Sequence, residues 1–452
     1  MAATSCGCLS RRARTIPPPW HESVAPYPGR VRTPAPQPPE SAPLVVRSTR
    51  LDDPGPLLGL LPHQDSMAWV RRADGLVGWG TALRYEAAGR DRFVDAQRWW
   101  RGVTGSAVVR DEVGVPGSGL VAFGSFAFAD EPGSSVVVVP AVVVGHRSGS
   151  GGSVWWVTTV SAGSLAPPPV LSSQPVRPPE QVSYSDGAMS GPAWAHRVRE
   201  AVARIGATPL EKVVLARDLL VSTGHPLDVR WPLHRLAQAY PTCWTFCLDG
   251  LFGATPELLV RRERGLVTSR VLAGTIRRTG DDAHDLALAG ALARSSKDLE
   301  EHEYAVRSVA QALAPHCASM NVPESPFVLH LPNVMHLATD VTGVIEPGDD
   351  ASSLALAASL HPSAAVGGTP TDLALATITE LEGMDRGRYA GPVGWIDAAG
   401  DGEWGLALRC GITEGPRVRL FAGCGIVASS DADAELAEAQ VKFVPVRDSL
   451  GE

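Results

Sequence analysis

Lysine is nearly absent from this chain. Of its 40 basic residues only Lys212, Lys297 and Lys442 are lysines, and the rest are arginines. A coding bias toward arginine explains the scarcity wherever charge alone matters, which leaves each surviving lysine a candidate for a task that a guanidinium cannot perform. Cysteine is also sparse: the seven residues Cys6, Cys8, Cys243, Cys247, Cys317, Cys410 and Cys424 are odd in number and form no paired CxxC units. That argues against a disulfide scaffold and structural zinc, and a reduced cytoplasm fits best. No apolar run is long enough to span a bilayer; the longest, near Val136 to Val144, is broken by Pro140. The opening MAATSCGCLSRRARTIPPPW lacks the apolar core of a signal peptide, so neither secretion nor a membrane partner is expected. Runs of five or more like charges are missing too, and 48 acidic residues bring the net charge to −8, so nucleic acid is not an expected partner.

What is present suffices for a large core. The 452 residues are 44% hydrophobic and 19% charged, which at roughly 150 residues per domain allows two or three domains or one large α+β unit. Residues 1–45, rich in Pro, Ser and Arg, read as a disordered tail. Residues 46–185 form a strand-rich half, with the runs SMAWVRR, GLVGWG, GLVAFGSFAF and SVVVVPAVVVG around one helix near 90–101. Its proline-rich end, from 161 to about 190, reads as a long surface connection. Residues 186–452 alternate helices and strands. The pattern there predicts helices over 209–220, 298–313, 371–382 and 433–443, and strands over 258–262, 266–270, 334–344, 403–412 and 418–426.

Several segments carry residues suited to chemistry. In EKVVLARDLLV, Lys212 precedes an apolar face. Alone it reads first as a solvated lysine paired with a nearby acid; the alternative is a desolvated lysine able to take a proton, which arginine cannot do. In FGATPELLV, a turn leads Glu257 into an apolar strand, where burial would raise its pKa and suit it to donate a proton; a water-facing strand edge is the plainer reading. RVLAGTIRRTGDD places Gly274 and Thr275 after a strand, either as a tight turn or as a close approach for a ligand.

Two acidic helices follow the same design. In SSKDLEEHEYAVRSVAQAL, Asp298 and Glu301 share a face, and in SSDADAELAEAQVKF, Glu435, Glu438 and Lys442 recur at i, i+3 and i+7. Each alone is most simply an exposed acidic face; brought together they would offer oxygen ligands for Mg²⁺. LHPSAAVGGTP leads into a capped helix, Arg409 sits in an alternating strand pattern, and LFAGCGIV presents Gly423 and Gly425. An inward arginine beside glycine amides would seat a carboxylate.

Taken together, KVVLAR, FGATPELL, LAGTIRR, SSKDLEEH, LHPSAAVGGTP, RGRYAGPVGW, DGEWGLALR, AGCGIV and AELAEAQVK resemble, in order and spacing, the chorismate-utilising enzymes. The strand-rich region before them resembles, less distinctively, the N-terminal half of the isochorismate-forming members. The resemblance implies an α+β fold of the aminodeoxychorismate synthase type: two pseudo-symmetric halves, central antiparallel sheets and outer helices. Lys212 implies an activated water, because ammonia-using members lack this lysine. Ala273 stands where a nucleophilic lysine marks the aminodeoxychorismate-forming members. Ala365, in LHPSAAVGG, matches the isochorismate-forming pattern and departs from the threonine of salicylate-forming and amine-using relatives.

The implied activity is Mg²⁺-dependent conversion of chorismate to isochorismate, an isomerase reaction, with salicylate formation or a silent binding paralogue as alternatives. Lys212 would be the general base and Glu257 the general acid. Glu301 and Glu438, supported by Asp298 and Glu435, would hold Mg²⁺. Tyr389, Arg409, Gly423, Gly425 and Lys442 would seat the enolpyruvyl carboxylate, with Gly274, Thr275, His336 and Ala365 at the ring. Within that resemblance a monomer without a glutamine amidotransferase partner is expected, and Lys297 has no role beyond a helix ion pair with Glu301.

Overall fold

The computed structural model describes residues 42–149 and 152–451. Most of the predicted tail therefore lies outside the described residues, and its predicted end falls inside a strand, Leu44–Leu51. Two large sheets, of 13 and 10 strands, organise the described chain. Every pairing is antiparallel except that of Leu44–Leu51 with Val108–Asp111. Both sheets join a block of strands that ends by residue 162 to a block that begins at residue 183. Ser66–Arg71, for example, pairs with Trp244–Leu248, and Val121–Ser125 pairs with Pro392–Asp397. The two stretches read from the sequence thus share one core, and the described residues form a single compact unit.

Among the described residues, eight α-helices pack on these sheets: α1 (Arg92–Ser106), α2 (Gly191–Ala207), α3 (Arg230–Ala239), α4 (Asp282–Leu292), α5 (Ser296–Leu313), α6 (Ser353–Ser359), α7 (Thr371–Glu382) and α8 (Ala432–Ser449). Antiparallel sheets with packed helices are the α+β architecture expected. Both α5 and α8 begin with a cap: Ser295 Oγ accepts from Asp298 N, and the Asp431 side chain accepts from Asp433 N and Ala434 N. Such caps satisfy amides that the first helical turn leaves open.

Four local expectations change. The segment predicted as a helix over 209–220 is the strand Lys212–Ser222. It is buried on both faces for its first seven residues, so the alternation that marks a half-buried strand is missing, and Val213 and Val214 favour the extended form. The predicted strand 403–412 is two strands, Gly402–Leu406 and Cys410–Glu414, parted at Arg409, whose φ is 48°. Helix α3 was not predicted, because Pro232 masks it; at the start of a helix proline costs no hydrogen bond. Helix α8 continues past Phe443 and through Pro445 to Ser449.

Candidate active site

The site forms where α5 and α8 meet strands of both sheets. Lys212 opens its strand fully buried, with Nζ 3.4 Å from Glu301 Oε1 on α5 and 3.5 Å from the Glu301 carbonyl oxygen. The strand Lys212–Ser222 pairs with Arg417–Ile426, placing Val214 opposite Gly425 and Ala216 opposite Gly423. Val214 and Ala216 send their amides elsewhere, to Gly367 O at 2.8 Å and Glu382 Oε1 at 2.7 Å. By the alternation of an antiparallel pair, Gly423 and Gly425 turn their own N–H and C=O groups away from the Lys212 strand, toward the cavity. Lys442 Nζ accordingly donates to Gly423 O at 3.0 Å. A side chain at Gly425 would require Glu301 to move, since a Cβ there would lie 2.0 Å from Glu301 Oε1.

Glu257 sits in the turn before Leu258–Glu263, its amide donating to Thr255 Oγ1 at 3.2 Å and its carbonyl accepting from Leu406 N at 3.3 Å. Burial pushes its carboxyl up to about 8, against the pull of a Leu272 backbone hydrogen bond and of Lys212, Arg409 and Lys442. Glu257 is therefore protonated near neutral pH.

Gly274 lies within the long strand Leu266–Arg277, at a bulge with φ 74°, rather than in a turn after it. The bulge brings Thr275 opposite His336 on Val334–Ile345. Arg409 donates from a terminal guanidinium nitrogen to His336 Nε2 at 3.3 Å. A guanidinium only donates, so Nε2 accepts and Nδ1 carries the ring proton, directed at Gly274 O, 3.3 Å, with Thr275 Oγ1 at 3.1 Å. Burial, then Arg409 and Lys442, lower the His336 pKa well below its ordinary value, which keeps the ring neutral.

One cavity of about 60 Å³ is lined by Glu257, Gly274, Thr275, Glu301, His336, Ala365, Tyr389, Arg409, Gly423, Gly425 and Lys442. Lys212, Asp298, Glu435 and Glu438 do not line it. Lys212 lies behind Glu301, and Asp298 packs under the Gly274 bulge, 2.9 Å from where a Cβ would stand. The volume is far below the roughly 300–1,000 Å³ usual for small-molecule sites. Lining side chains must therefore move when a substrate enters.

The acids are not the exposed faces that their helices suggested. Glu435 is buried and pairs with Lys297, Nζ to Oε1 2.6 Å, and Glu438 pairs with Lys442 at 2.6 Å. Burial and the adjacent Glu438 raise the Glu435 pKa. Burial acts on Glu438 the same way, but Lys442, Lys297 and the Thr275 hydroxyl outweigh it and hold that pKa low. Ligand atoms of Glu435, Glu438 and Cys424 lie within 4.8 Å of one another. The three lysines of the chain thus each neutralise one of Glu301, Glu435 and Glu438.

A further pair was not singled out from the sequence. Arg386 and Glu382, an i,i+4 ion pair buried beneath the cavity, clamp its wall. Arg386 donates to Val214 O at 2.8 Å and Val366 O at 2.9 Å, while Glu382 accepts from Ala216 N. Only the Glu-x-x-x-Arg spacing at the end of α7 hinted at it.

The family described as chorismate binding enzyme matches residues 169–451. Isochorismate synthase DhbC of Bacillus subtilis (strain 168) is 38% identical over 284 residues, covering 60% of this chain and 69% of that one. Isochorismate synthase MenF of the same strain is 36% identical over 262 residues, 57% of this chain and 55% of its own length. Among solved structures, a putative 2,3-dihydroxybenzoate-specific isochorismate synthase, DhbC from Bacillus anthracis, superposes with a TM-score of 0.72 at 29% identity, covering 87% of this chain and 98% of that one. The site's segments lie inside the matched region, and the fold agrees over nearly the whole described chain: the protein is a member of the chorismate-binding enzyme family.

Proposed function

We propose that this enzyme is an isochorismate synthase, an isomerase that adds water at C2 of chorismate and expels the C4 hydroxyl while the ring double bonds shift. The observation that carries this reading is Glu257, a buried carboxyl protonated up to about pH 8 in a cavity shared with the cations Arg409 and Lys442. Chorismate carries two carboxylates and a poor leaving group, so it needs cationic seats and a proton donor.

In this mechanism Lys212, released from Glu301 and having given its ammonium proton to solvent, takes as the neutral amine a proton from the attacking water as the water oxygen bonds to C2. The electron pairs of the ring shift, the C4–O bond breaks, and Glu257 delivers its proton to the departing hydroxyl, which leaves as water. The net change is isomerisation. Arg409, Lys442 and the Gly423 and Gly425 amides hold the enolpyruvyl carboxylate, with Tyr389 beside it, and His336, Thr275, Gly274 and Ala365 bound the ring.

Glu301, Glu435 and Glu438, with Asp298 alongside, are the hard oxygen donors that suit Mg²⁺. Cys424 offers no thiolate, because burial raises its pKa well above the usual value, so the donor set does not favour a thiophilic ion. When bound, Mg²⁺ would supply positive charge for the ring carboxylate.

Among the described residues no helix is long and apolar enough to cross a membrane. Cys243, Cys247, Cys317, Cys410 and Cys424 are free thiols, which supports a cytoplasmic location for the reaction. A monomer acting without an amidotransferase belongs to the same proposal. Incubation with chorismate and Mg²⁺, with the product identified by mass spectrometry, tests the reading. Isochorismate is the expected product; salicylate with pyruvate, or unchanged chorismate, would overturn it.

A further inference from the structure

Part of the strand Lys212–Ser222 has a neighbouring strand on one side only. One edge pairs with Arg417–Ile426 from Val213 onward. The other is covered by Gly368–Thr369 at Lys212 and Val213, and by Ser183–Asp186 from Leu219 to Ser222. Between these covers lie Val214 and Ala216, whose backbone groups face the open edge. Side chains and one loop carbonyl stand in for the missing strand. Val214 N donates to Gly367 O at 2.8 Å and Ala216 N to Glu382 Oε1 at 2.7 Å. Val214 O accepts from Arg386 at 2.8 Å, and Ala216 O from the Trp194 indole at 3.0 Å. The buried edge thereby keeps its hydrogen bonds without a strand beside it.

Arg386 reaches beyond this edge. Its Nε and one terminal nitrogen donate to Glu382, that same terminal nitrogen donates to Val214 O, and the other donates to Val366 O at 2.9 Å. Val214 stands two residues after Lys212, the proposed base, and Val366 follows Ala365, which bounds the ring. One rigid plane of donors therefore fixes the strand of the base against the loop at the ring. A lysine could not do this, because its ammonium is a single point without a fixed fork. Arg386 also lines the cavity, while Glu382 cancels its charge within the wall.

Stability alone does not account for the pair. Its side chains are 2% and 1% exposed, and well-packed apolar side chains of the same volume often serve a fold as well as a buried ion pair. Apolar side chains would not supply directed bonds to two carbonyls and one amide. The guanidinium also has a platform outside the cavity: its carbon lies 4.1 Å from the centre of the Phe128 ring. Phe128 is fixed through its backbone, whose N–H donates to Gly387 O at 2.9 Å and whose carbonyl accepts from His361 Nε2 at 3.0 Å and Arg92 at 3.3 Å. Phe128 lines an outer groove of about 1070 Å³ and no part of the active cavity.

We propose that Arg386, seated on Phe128 and paired with Glu382, is a positioning residue of the reaction. It sets the strand of Lys212 at its working distance from the substrate ring and adds no net charge to the site. This rests on the reading that the enzyme converts chorismate.

Arg386→Lys keeps the charge and gives up the planar fork. Single-turnover rates over a range of enzyme concentrations give the saturated rate and the half-saturation point separately. The saturated rate should fall by about 10²-fold, the cost of a misplacement near 1 Å, with half-saturation within about twofold of the parent. Phe128→Leu removes the platform from outside the cavity. It should lower the saturated rate by less, and it decides the matter where Arg386→Lys does not fold. Arg230→Lys is the control. Arg230 forms another buried pair, with Asp228 at 2.7 Å, donates to Leu61 O and Pro175 O at 3.2 and 3.0 Å, and lines no part of the cavity. Its urea midpoint should fall while its saturated rate stays at that of the parent. With an active parent, three results would each overturn the proposal: a parent-like saturated rate in folded Arg386→Lys, or in Phe128→Leu where Arg386→Lys does not fold; a loss confined to half-saturation; or an equal rate loss in Arg230→Lys. A parent that leaves chorismate unchanged would overturn the functional reading and this proposal with it.

Discussion

Lys297, in the first turn of α5, sets its Nζ 2.6 Å from Oε1 of Glu435 on α8, 138 positions further along the chain. It joins the two helices whose acids would hold Mg²⁺. Glu435 is buried while Lys297 keeps 30% of its side chain exposed, so removing the lysine leaves a desolvated acid beside Glu438. Lys297→Met should destabilise the fold by about 1–3 kcal/mol, less than for a fully buried pair. Mg²⁺ should restore part of that loss, because a ligand bound only by the native state stabilises it. Urea titrations with and without Mg²⁺ measure both effects, and a variant deficit that Mg²⁺ leaves unchanged would contradict the metal assignment.

Glu257 makes both the stability and the activity of the parent fall as pH rises, and removing its carboxyl should flatten the stability profile. Its native pKa of about 8 lies above the ordinary 4.5, so the native state holds a proton that the unfolded chain releases between those values. The stability contributed by this protonation is fully present below 4.5 and is lost as pH rises through about 8. Glu257→Gln should flatten that part of the stability profile and make the protein more stable than the parent above about pH 8. Turnover should fall by about 10²–10⁴-fold, the usual contribution of a general acid. Parent turnover should decline through the same alkaline limb. A parent rate that stays level there would sink the acid role.

The segments that define this site were legible because short motifs hold their residues close: Glu257 follows its turn, and Asp298 and Glu301 share one helical face. Long-range pairing was not. Lys297 sits four residues before Glu301, so local spacing pointed to Glu301, and only the approach of α8 supplies Glu435. The Lys212 segment failed as a helix for a related reason. With the Arg417–Ile426 strand beside it in the sheet and α7 packed against it, positions that a half-buried strand would leave polar are buried. Nor could the sequence show that Arg409 parts two strands, since nothing nearby marks an arginine as left-handed.

Lys212 tests whether the base acts through its ability to lose a proton. Lys212→Met keeps the length of the side chain and removes the amine. The expected outcome is a turnover loss of about 10²–10⁴-fold with chorismate binding little changed. Equilibrium binding of chorismate and single-turnover rates separate the two. A variant that binds poorly yet reacts at the parent rate once saturated would make Lys212 a binding residue instead.

Gly425 offers the sharpest separation of fold from function. A Cβ added there would meet Glu301 Oε1 at 2.0 Å and Lys212 Cε at 3.0 Å, both on flexible side chains rather than on backbone. The overlap is relieved by turning Glu301 aside, so Gly425→Ala should cost about 1 kcal/mol or less in stability. The displaced carboxylate is a proposed Mg²⁺ ligand and the partner of Lys212. Half-saturation by Mg²⁺ should therefore rise by about 10–100-fold, the range seen when the surroundings of a metal ligand are disturbed. Calorimetric Mg²⁺ titration beside a urea denaturation curve reads both quantities. An unchanged Mg²⁺ affinity in a stable Gly425→Ala protein would remove Glu301 from the ligand set.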